Sequence, residues 1–420
     1  MARAHAFFGW HVVGAAFVLA VFAWGISFYG PPIFLEVLHA SRGWPVSAVS
    51  GAITAHFLLG AAVVANLSTL HRRFGLIAVT RVGALLTAAG LLGWAFAGVP
   101  WQLYLAAPVS GAGWAMTSGA ALNAMVSPWF ARRRPAALGM AFNGASTGGV
   151  IFSPLWVALI ASLGFHAAAG LVAVAVVGMA WVLSGRYLGR TPAEMGLLPD
   201  GDAASARPAT ATSAIRRVEA PPLASPWRDR RFLTLAAAAT FGLFAQIGLV
   251  THLFSLLVPT LGAEGAGLTM GGATACAIGG RFLLGAVMPP TADRRVVAAA
   301  NAAMQAVGSV VLLCAGPSVP LLLLGCALFG LGLGNVTSLP PLVAQVEFRP
   351  ADVGRVVALV TATSQAGYAF APAAFGLLRG LGPSGFSLSD GVLLYAVAAL
   401  VQLASALVIL LGRRPVLASC

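Results

Sequence analysis

The sequence predicts an all-α membrane protein with twelve transmembrane helices in two pseudo-symmetric six-helix bundles. Three observations carry the prediction. The 420-residue chain is 59% hydrophobic and only 8% charged, whereas a soluble domain carries about a quarter charged residues. Its apolar residues gather into twelve runs long enough to cross a bilayer. Its basic residues are all arginines, most of them in short clusters between those runs.

A span needs about twenty apolar residues, and the runs follow one another in order. The first two, 9–30 and 46–68, flank Arg42, and Arg72 with Arg73 closes the second. The third and fourth, 76–98 and 102–127, end before the cluster Arg132, Arg133 and Arg134. The fifth and sixth, 136–162 and 167–186, end at Arg186 and Arg190. Spans seven and eight, 232–257 and 267–289, lead to Arg294 and Arg295, and spans nine and ten, 296–316 and 319–344, to Arg349. The eleventh, 355–378, runs from Arg355 to Arg379, and the twelfth, 390–412, stops at Arg413 and Arg414. The apolar stretch behind the opening Met-Ala-Arg-Ala-His fits a retained spanning helix better than a signal peptide. Trp10, Trp44, Trp101 and Trp227 fall near span ends and read as interfacial anchors.

Between spans six and seven lies the one long polar stretch, 187–231. Its Ala/Pro/Ser/Thr composition, as in Asp202–Ser213, builds no core and predicts a flexible linker. The expected domains are therefore an N-terminal bundle 1–186, the linker 187–231 and a C-terminal bundle 232–420.

Twelve spans put both termini on one side. Twenty arginines fall on that side or in the linker, against Arg42 and Arg379 opposite. Positive residues accumulate in cytoplasmic loops, so both termini and the linker are expected in the cytoplasm. The formal charge of +13 thus reports topology, and no nucleic-acid partner is expected.

The halves echo each other. His56-Phe-Leu-Leu-Gly-Ala61 matches Arg281-Phe-Leu-Leu-Gly-Ala286, Phe22-Ala23 matches Phe244-Ala245, and Arg134-x-x-Ala-Leu138 matches Arg355-x-x-Ala-Leu359. Three matches in order at nearly constant offset indicate a duplication, and two parallel six-helix repeats about the membrane normal are a transporter architecture.

Specific motifs sharpen this. Trp129-Phe130-Ala-Arg-Arg-Arg134-x-x-Ala-x-Gly139 joins spans four and five, Thr191-Pro-Ala-Glu-Met-Gly-Leu-Leu-Pro-Asp-Gly201 follows span six, and His252-Leu253 lies in span seven. With Gly280-Arg-Phe-Leu-Leu-Gly285 in span eight, the chain resembles the major facilitator superfamily over almost its whole length. Within it, the branch of monocarboxylate transporters and the bacterial oxalate:formate exchanger is the most similar. The resemblance implies that Arg281 holds a substrate carboxylate. Departures are clear: Pro135 stands where that branch usually has Gly, Arg72 replaces the usual Asp of the second loop, and Ala277 replaces an Asp found in animal carriers. The exchanger's lysine in span eleven has no counterpart, since that span offers Gln365 and Tyr368. The Gly-x-x-x-Gly-Pro signature of drug antiporters is absent from span five, which delays its proline to Pro154.

Arg281 stands out on physical grounds too. A guanidinium in a spanning helix costs about 2.5–3.5 kcal/mol on insertion scales, and it can hold a carboxylate through two parallel hydrogen bonds. The alternative is a structural arginine snorkelling toward the cytoplasm. His56 occupies the repeat-equivalent place. His56 and His252 are the candidates for carrying a proton, because imidazole titrates near neutral pH; the alternative for each is a neutral histidine bonded inside the bundle. Asn123, Gln246, Gln365, Tyr368, Tyr29 and Asn335 are further substrate-binding candidates, against interhelical bonding. Asn143, Gln305 and Asn301 are expected to bond between helices, and Arg81, near the start of span three, to snorkel. Cys276, Cys314, Cys326 and Cys420 show no metal or redox spacing. No phosphate-binding loop, metal cluster or carboxylate pair appears, so neither cofactor nor metal nor enzymatic activity is expected.

The reading is a monomeric secondary transporter of a small organic anion, a carboxylate, in a bacterial inner membrane. Its partners are the anionic substrate, the lipid bilayer and, where His56 or His252 titrates, a proton for symport. Two alternatives stay open: efflux of a drug or metabolite, and a sensor or scaffold that uses the fold without transport.

Overall fold

The computed structural model describes residues 7–201, 225–289, 291–380 and 389–413, and they form helices with no strand among them. In chain order α1 is Phe8–Ser27, resumed as Gly30–Arg42; α2 is Val46–Phe74 and α3 Leu76–Phe96. Helix α4 is Pro100–Thr117 and Gly119–Val126. Helices α5 and α6 are the arms of Arg134–Tyr187, divided at Gly164, and α7 and α8 those of Arg230–Val287, divided at Gly262. Helix α9 is Arg294–Ala315, α10 is Val319–Leu333 with Leu339–Glu347, α11 is Pro350–Tyr368 with Ala371–Gly380, and α12 is Ser389–Leu411.

Most of these helices are continuous, long and apolar enough to cross a membrane. The spans α4, α10 and α11 are not, and each is broken midway; α1 is interrupted too, at Phe28 and Tyr29, but is still long enough. In a bilayer, unwound backbone is tolerated only where protein or a cavity satisfies it, so the breaks mark places where the chain has other partners.

Two connections are shorter than the sequence suggests. Gly164 (φ 77°, ψ 162°) and Gly262 (φ 68°, ψ 171°) each reverse the chain within a single residue, a conformation that a side chain would strain. Elsewhere helices run on past their expected ends. Helix α1 continues to Arg42, because Pro31 and Pro32 occupy the first turn of the resumed segment, where a missing N–H is harmless. Trp44 is buried, under the Arg42 guanidinium at 5.0 Å, and is not a membrane-belt residue. The arginines Arg3, Arg207, Arg216, Arg217 and Arg414, with Cys420 and the Asp202–Ser213 stretch, lie outside the described residues.

By packing, the chain divides differently from its order. One unit comprises residues 1–30, 59–152 and 159–220, and the other 31–58, 153–158 and 221–420. The first centres on Val12, Leu19, Met125, Trp129 and Phe130, and the second includes a core of Phe232, Val343, Phe348, Val356 and Ile409. The stretches 31–58 and 153–158 join the second unit because they pack on α8 and α11: Thr54 Oγ1 accepts the Ala373 N–H at 3.0 Å, and Gly267 lies against Val157. Chain order alone carries no trace of that regrouping.

The duplication is visible as a repeated contact. In the first unit the Phe22 and Phe152 rings join α1 to α5, their centroids 5.4 Å apart. In the second, Phe244 and Phe375 join α7 to α11 at 6.0 Å.

The arginine-rich end of each unit is clasped by a carboxylate. Asp200 accepts the backbone N–H groups of Ala131, Arg132 and Arg133 at 3.1, 2.8 and 3.1 Å. Burial opposes ionisation of Asp200, but these bonds and the Arg132 guanidinium outweigh it and hold its carboxyl below the usual carboxylate range. The motif around Pro199-Asp200-Gly201 thus secures the loop between α4 and α5, while Arg72 turns to Thr69 Oγ1 at 3.2 Å. In the second unit Glu347 pairs with Arg295, which is 1% exposed. Arg295 also donates to the carbonyls of Arg231 and Ile409, each at 2.8 Å.

Candidate functional site

The break in α10 creates the setting for Arg281. Between Leu333 and Leu339 the chain turns through Asn335, whose N–H bonds to Gly332 O and whose carbonyl accepts from Ser338 and Leu339. The Gly334 carbonyl is thereby turned aside from the regular ladder, and it accepts the Arg281 Nε–H at 3.0 Å. Two glycines permit the approach: a Cβ on Gly280 would strike the Leu331 carbonyl, and one on Gly334 would strike Arg281 Nε and the Ala277 carbonyl. Arg281 is half-buried and lies between one and two turns before the end of α8 at Val287. That is nearer the arginine-rich end than the sequence implies, because the helix stops before Pro289.

A polar strip continues from this break through the second unit. Asn335 Nδ2 donates to Asn301 Oδ1 at 3.1 Å, and Asn301 Nδ2 donates to the Gly332 carbonyl at 3.2 Å. Gln305 Nε2 donates to Gln246 Oε1 at 3.1 Å, tying α9 to α7. Asn301 and Gln305 therefore bond between helices, as expected, and they take Gln246 and Asn335 with them. A small cavity of about 40 Å³ beside Asn301 and Gln305 separates α7, α9 and α10.

The histidines sit elsewhere in the same unit. His252 is fully buried on α7, and its Nε2–H donates to the Pro372 carbonyl of α11 at 3.1 Å, while Nδ1 has no hydrogen-bond partner among the described residues. Pro372 precedes Ala373, the residue bonded to Thr54, so adjacent positions at the start of the second α11 segment are held by α7 and α2. His56 is also fully buried, its ring set edge-on to Phe57 at 5.1 Å. Phe57 in turn meets Tyr368 at 5.7 Å, and Gln365 lies three residues before Tyr368 on α11.

Of the candidates, Arg281, His56, Gln246, His252, Gln365 and Tyr368 belong to the second unit, and Asn123 and Tyr29 to the first. Asn123 is exposed on the second segment of α4, where its Oδ1 accepts from Ser127 at 2.6 Å. Tyr29 is buried in the break of α1, its N–H bonded to Trp24 O. Arg81 does not simply snorkel: it donates to Ser184 Oγ at 3.1 Å and lies over the Trp181 ring. The contacts of Thr54, Ala373, Pro372 and Gly334 were not legible in the sequence, since three of them are made through backbone groups and Thr54 is an ordinary residue in an apolar run. The described residues hold no group of three His, Cys, Asp or Glu side chains placed to bind a metal.

Comparison with known proteins places these features in context. Residues 15–372 match the Major Facilitator Superfamily. Over 154 residues the chain is 34% identical to monocarboxylate transporter 13 of Bos taurus, covering 35% of this chain and 34% of that one. Over 158 residues it is 33% identical to monocarboxylate transporter 3 of Mus musculus, covering 37% and 30%. The match thus spans about a third of the length of these relatives. Among solved structures, the nucleoside transporter NupG shares the fold with a TM-score of 0.71 at 11% identity, over 96% of this chain and 98% of that one. A bacterial homolog of the human lysosomal transporter Spinster, in an inward-facing and occupied conformation, does so with a TM-score of 0.69 at 15% identity, over 96% of each.

Proposed function

The chain belongs to the Major Facilitator Superfamily and is a multi-pass membrane transporter; from that premise we propose that it carries a small organic anion, a carboxylate, by alternating access. The observation that carries the proposal is Arg281. Its guanidinium sits in a spanning helix, and its Nε–H donates to a backbone carbonyl, which orients the fork. A carboxylate held by such a fork gains two charge-assisted hydrogen bonds in a low-dielectric setting. The likeness to monocarboxylate transporters supports the substrate class. The arginine asymmetry supports an inner-membrane orientation with both termini in the cytoplasm.

On this reading the α2–α11 contact at Thr54 and Ala373 is part of the outer gate, at the end away from the arginine clusters. His252 links that gate to α7, and a second proton on its ring, at Nδ1, finds no acceptor in this packing. Protonation of His252 therefore favours rearrangement of α7 against α11, which is how a proton would couple to transport. His56, Gln365 and Tyr368, in the same unit as Arg281, supply polar contacts to the substrate.

The test is uptake of labelled lactate, pyruvate, oxalate, acetate and malonate into proteoliposomes, wild type beside Arg281→Ala, with and without an inward proton gradient. Uptake that disappears in the variant, with the fold intact by thermal melting, supports an anion carrier. Stimulation by the gradient supports symport. Unchanged uptake in the variant, or no uptake of any anion by folded protein, sinks the proposal.

A further inference from the structure

A cavity of about 620 Å³ opens at the arginine-rich end of the first unit, between the start of α3, the end of α4 and the end of α6. Its wall is largely apolar, with Val82 and Leu85 on α3, Trp181 on α6 and Trp129 beneath. Val82, Leu85 and Trp181 are exposed, as are Leu171, Val174 and Val182 on the same α6. Large apolar side chains exposed on spanning helices are what acyl chains cover.

Two guanidiniums border the cavity, those of Arg81 and Arg190. Arg81 is held by Ser184 Oγ at 3.1 Å and stands 5.0 Å from the centre of the Trp181 ring, and neither partner neutralises it. The ion pairs of the described residues are made by other arginines. The acid on the lining, Glu194, accepts the Thr191 N–H at 2.8 Å, so its carboxylate is engaged in capping the short turn that follows α6. The first-turn N–H groups of Leu76, Ile77 and Ala78, which by helix geometry lack intrahelical acceptors, add further positive potential at the same rim.

We propose that this cavity binds an anionic phospholipid of the adjacent leaflet. The headgroup phosphate lies between Arg81 and Arg190, and one acyl chain runs along Val82, Leu85 and Trp181. Arginine pairs bidentately with phosphate oxygens, basic pockets between spanning helices suit anionic headgroups, and an indole at this depth sits between headgroup and chain. A free anion would leave the apolar wall uncovered. Residues 202–224 of the linker carry Arg207, Arg216 and Arg217 against Asp202 and Glu219, so their charge does not complement the site. The proposal requires this end of the chain to lie at a membrane surface and is independent of the transported substrate.

The experiment is native mass spectrometry of the full-length protein in detergent, titrated with phosphatidylglycerol or with phosphatidylcholine of the same acyl chains, no transport substrate being added. Wild type is expected to prefer phosphatidylglycerol, and Arg81→Gln with Arg190→Gln to lose about thirtyfold in that preference, as two cations near a headgroup suggest. Phosphatidylglycerol brominated on its acyl chains is expected to quench a fluorescence component that Trp181→Phe removes. If the double variant melts early, Arg190→Gln alone, at an exposed position, carries the comparison. The same preference in wild type and variant, no preference in wild type, or stabilisation by inorganic phosphate equal to that by the lipid each overturns the proposal.

Discussion

Arg281 on α8 donates its Nε–H to the Gly334 carbonyl on α10 at 3.0 Å, and the interruption of α10 is what turns that carbonyl toward it. A continuous helix would have engaged the carbonyl in its own ladder. The helix break and the intramembrane charge are therefore one feature, in which each satisfies the other. On the proposed function, substrate recognition by Arg281 would depend on this geometry as well as on its charge.

Gly334→Ala tests that dependence without touching the arginine. The added methyl would meet Arg281 Nε and the Ala277 carbonyl, and such overpacking costs about 1–3 kcal/mol. The expected outcome is a lower melting temperature together with an anion affinity reduced toward that of Arg281→Ala. Uptake with unchanged KM would show that the bond to Gly334 does not position the guanidinium.

Arg281→Lys keeps the charge but loses the planar fork. The loss of a charge-assisted hydrogen bond, about 1.5–3 kcal/mol, predicts an apparent affinity weaker by roughly ten- to a hundredfold. Concentration-dependent uptake measures it, and full retention of affinity by the lysine variant would argue against bidentate binding.

The two histidines are separable. His252→Gln retains a donor that can reach the Pro372 carbonyl but cannot titrate, and His56→Gln removes the other candidate. Loss of gradient-driven uptake with substrate counterflow preserved is expected for whichever histidine carries the proton. If both variants respond to the gradient as wild type does, the proton travels elsewhere or coupling is absent.

Asp200→Ala removes the acceptor of three backbone N–H groups on the loop between α4 and α5. Hydrogen bonds to a charged acceptor of this kind contribute about 1.5–3 kcal/mol. Because the Asp200 carboxyl titrates below its ordinary range, its contribution is complete at neutral pH and is lost only as pH falls through that lowered value. Melting temperatures of wild type and variant should therefore differ at neutral pH and converge in strong acid. A constant difference across that range would exclude the carboxylate as the source.

Glu347→Gln leaves the buried Arg295 guanidinium without its counter-charge. Breaking such a pair costs about 3–5 kcal/mol, and the carbonyls of Arg231 and Ile409 keep the expected loss at the low end. A melting temperature unchanged from wild type would show that those carbonyls suffice.

The fold was legible in the sequence because a bilayer imposes a one-dimensional rule. Each crossing needs its own run of about twenty apolar residues, and the arginine clusters punctuate those runs. Run length and loop charge are thus enough to count the spans, and the offset matches of Phe22 with Phe244 mark the duplication that the paired ring contacts display. Arg281 was visible for the same reason, as a cation where the rule forbids one without a partner.

What surrounds it was decided only in three dimensions. Gly334, Pro372 and Ala373 act through carbonyl and N–H groups, which every residue carries, so their letters say nothing of their roles. The grouping of residues 31–58 with the second unit depends on which apolar faces meet, and apolar attraction has no direction that a sequence pattern could record. Composition and charge determined how many times this chain crosses the membrane and where its unusual cation lies; close packing of helix backbones decided what that cation touches.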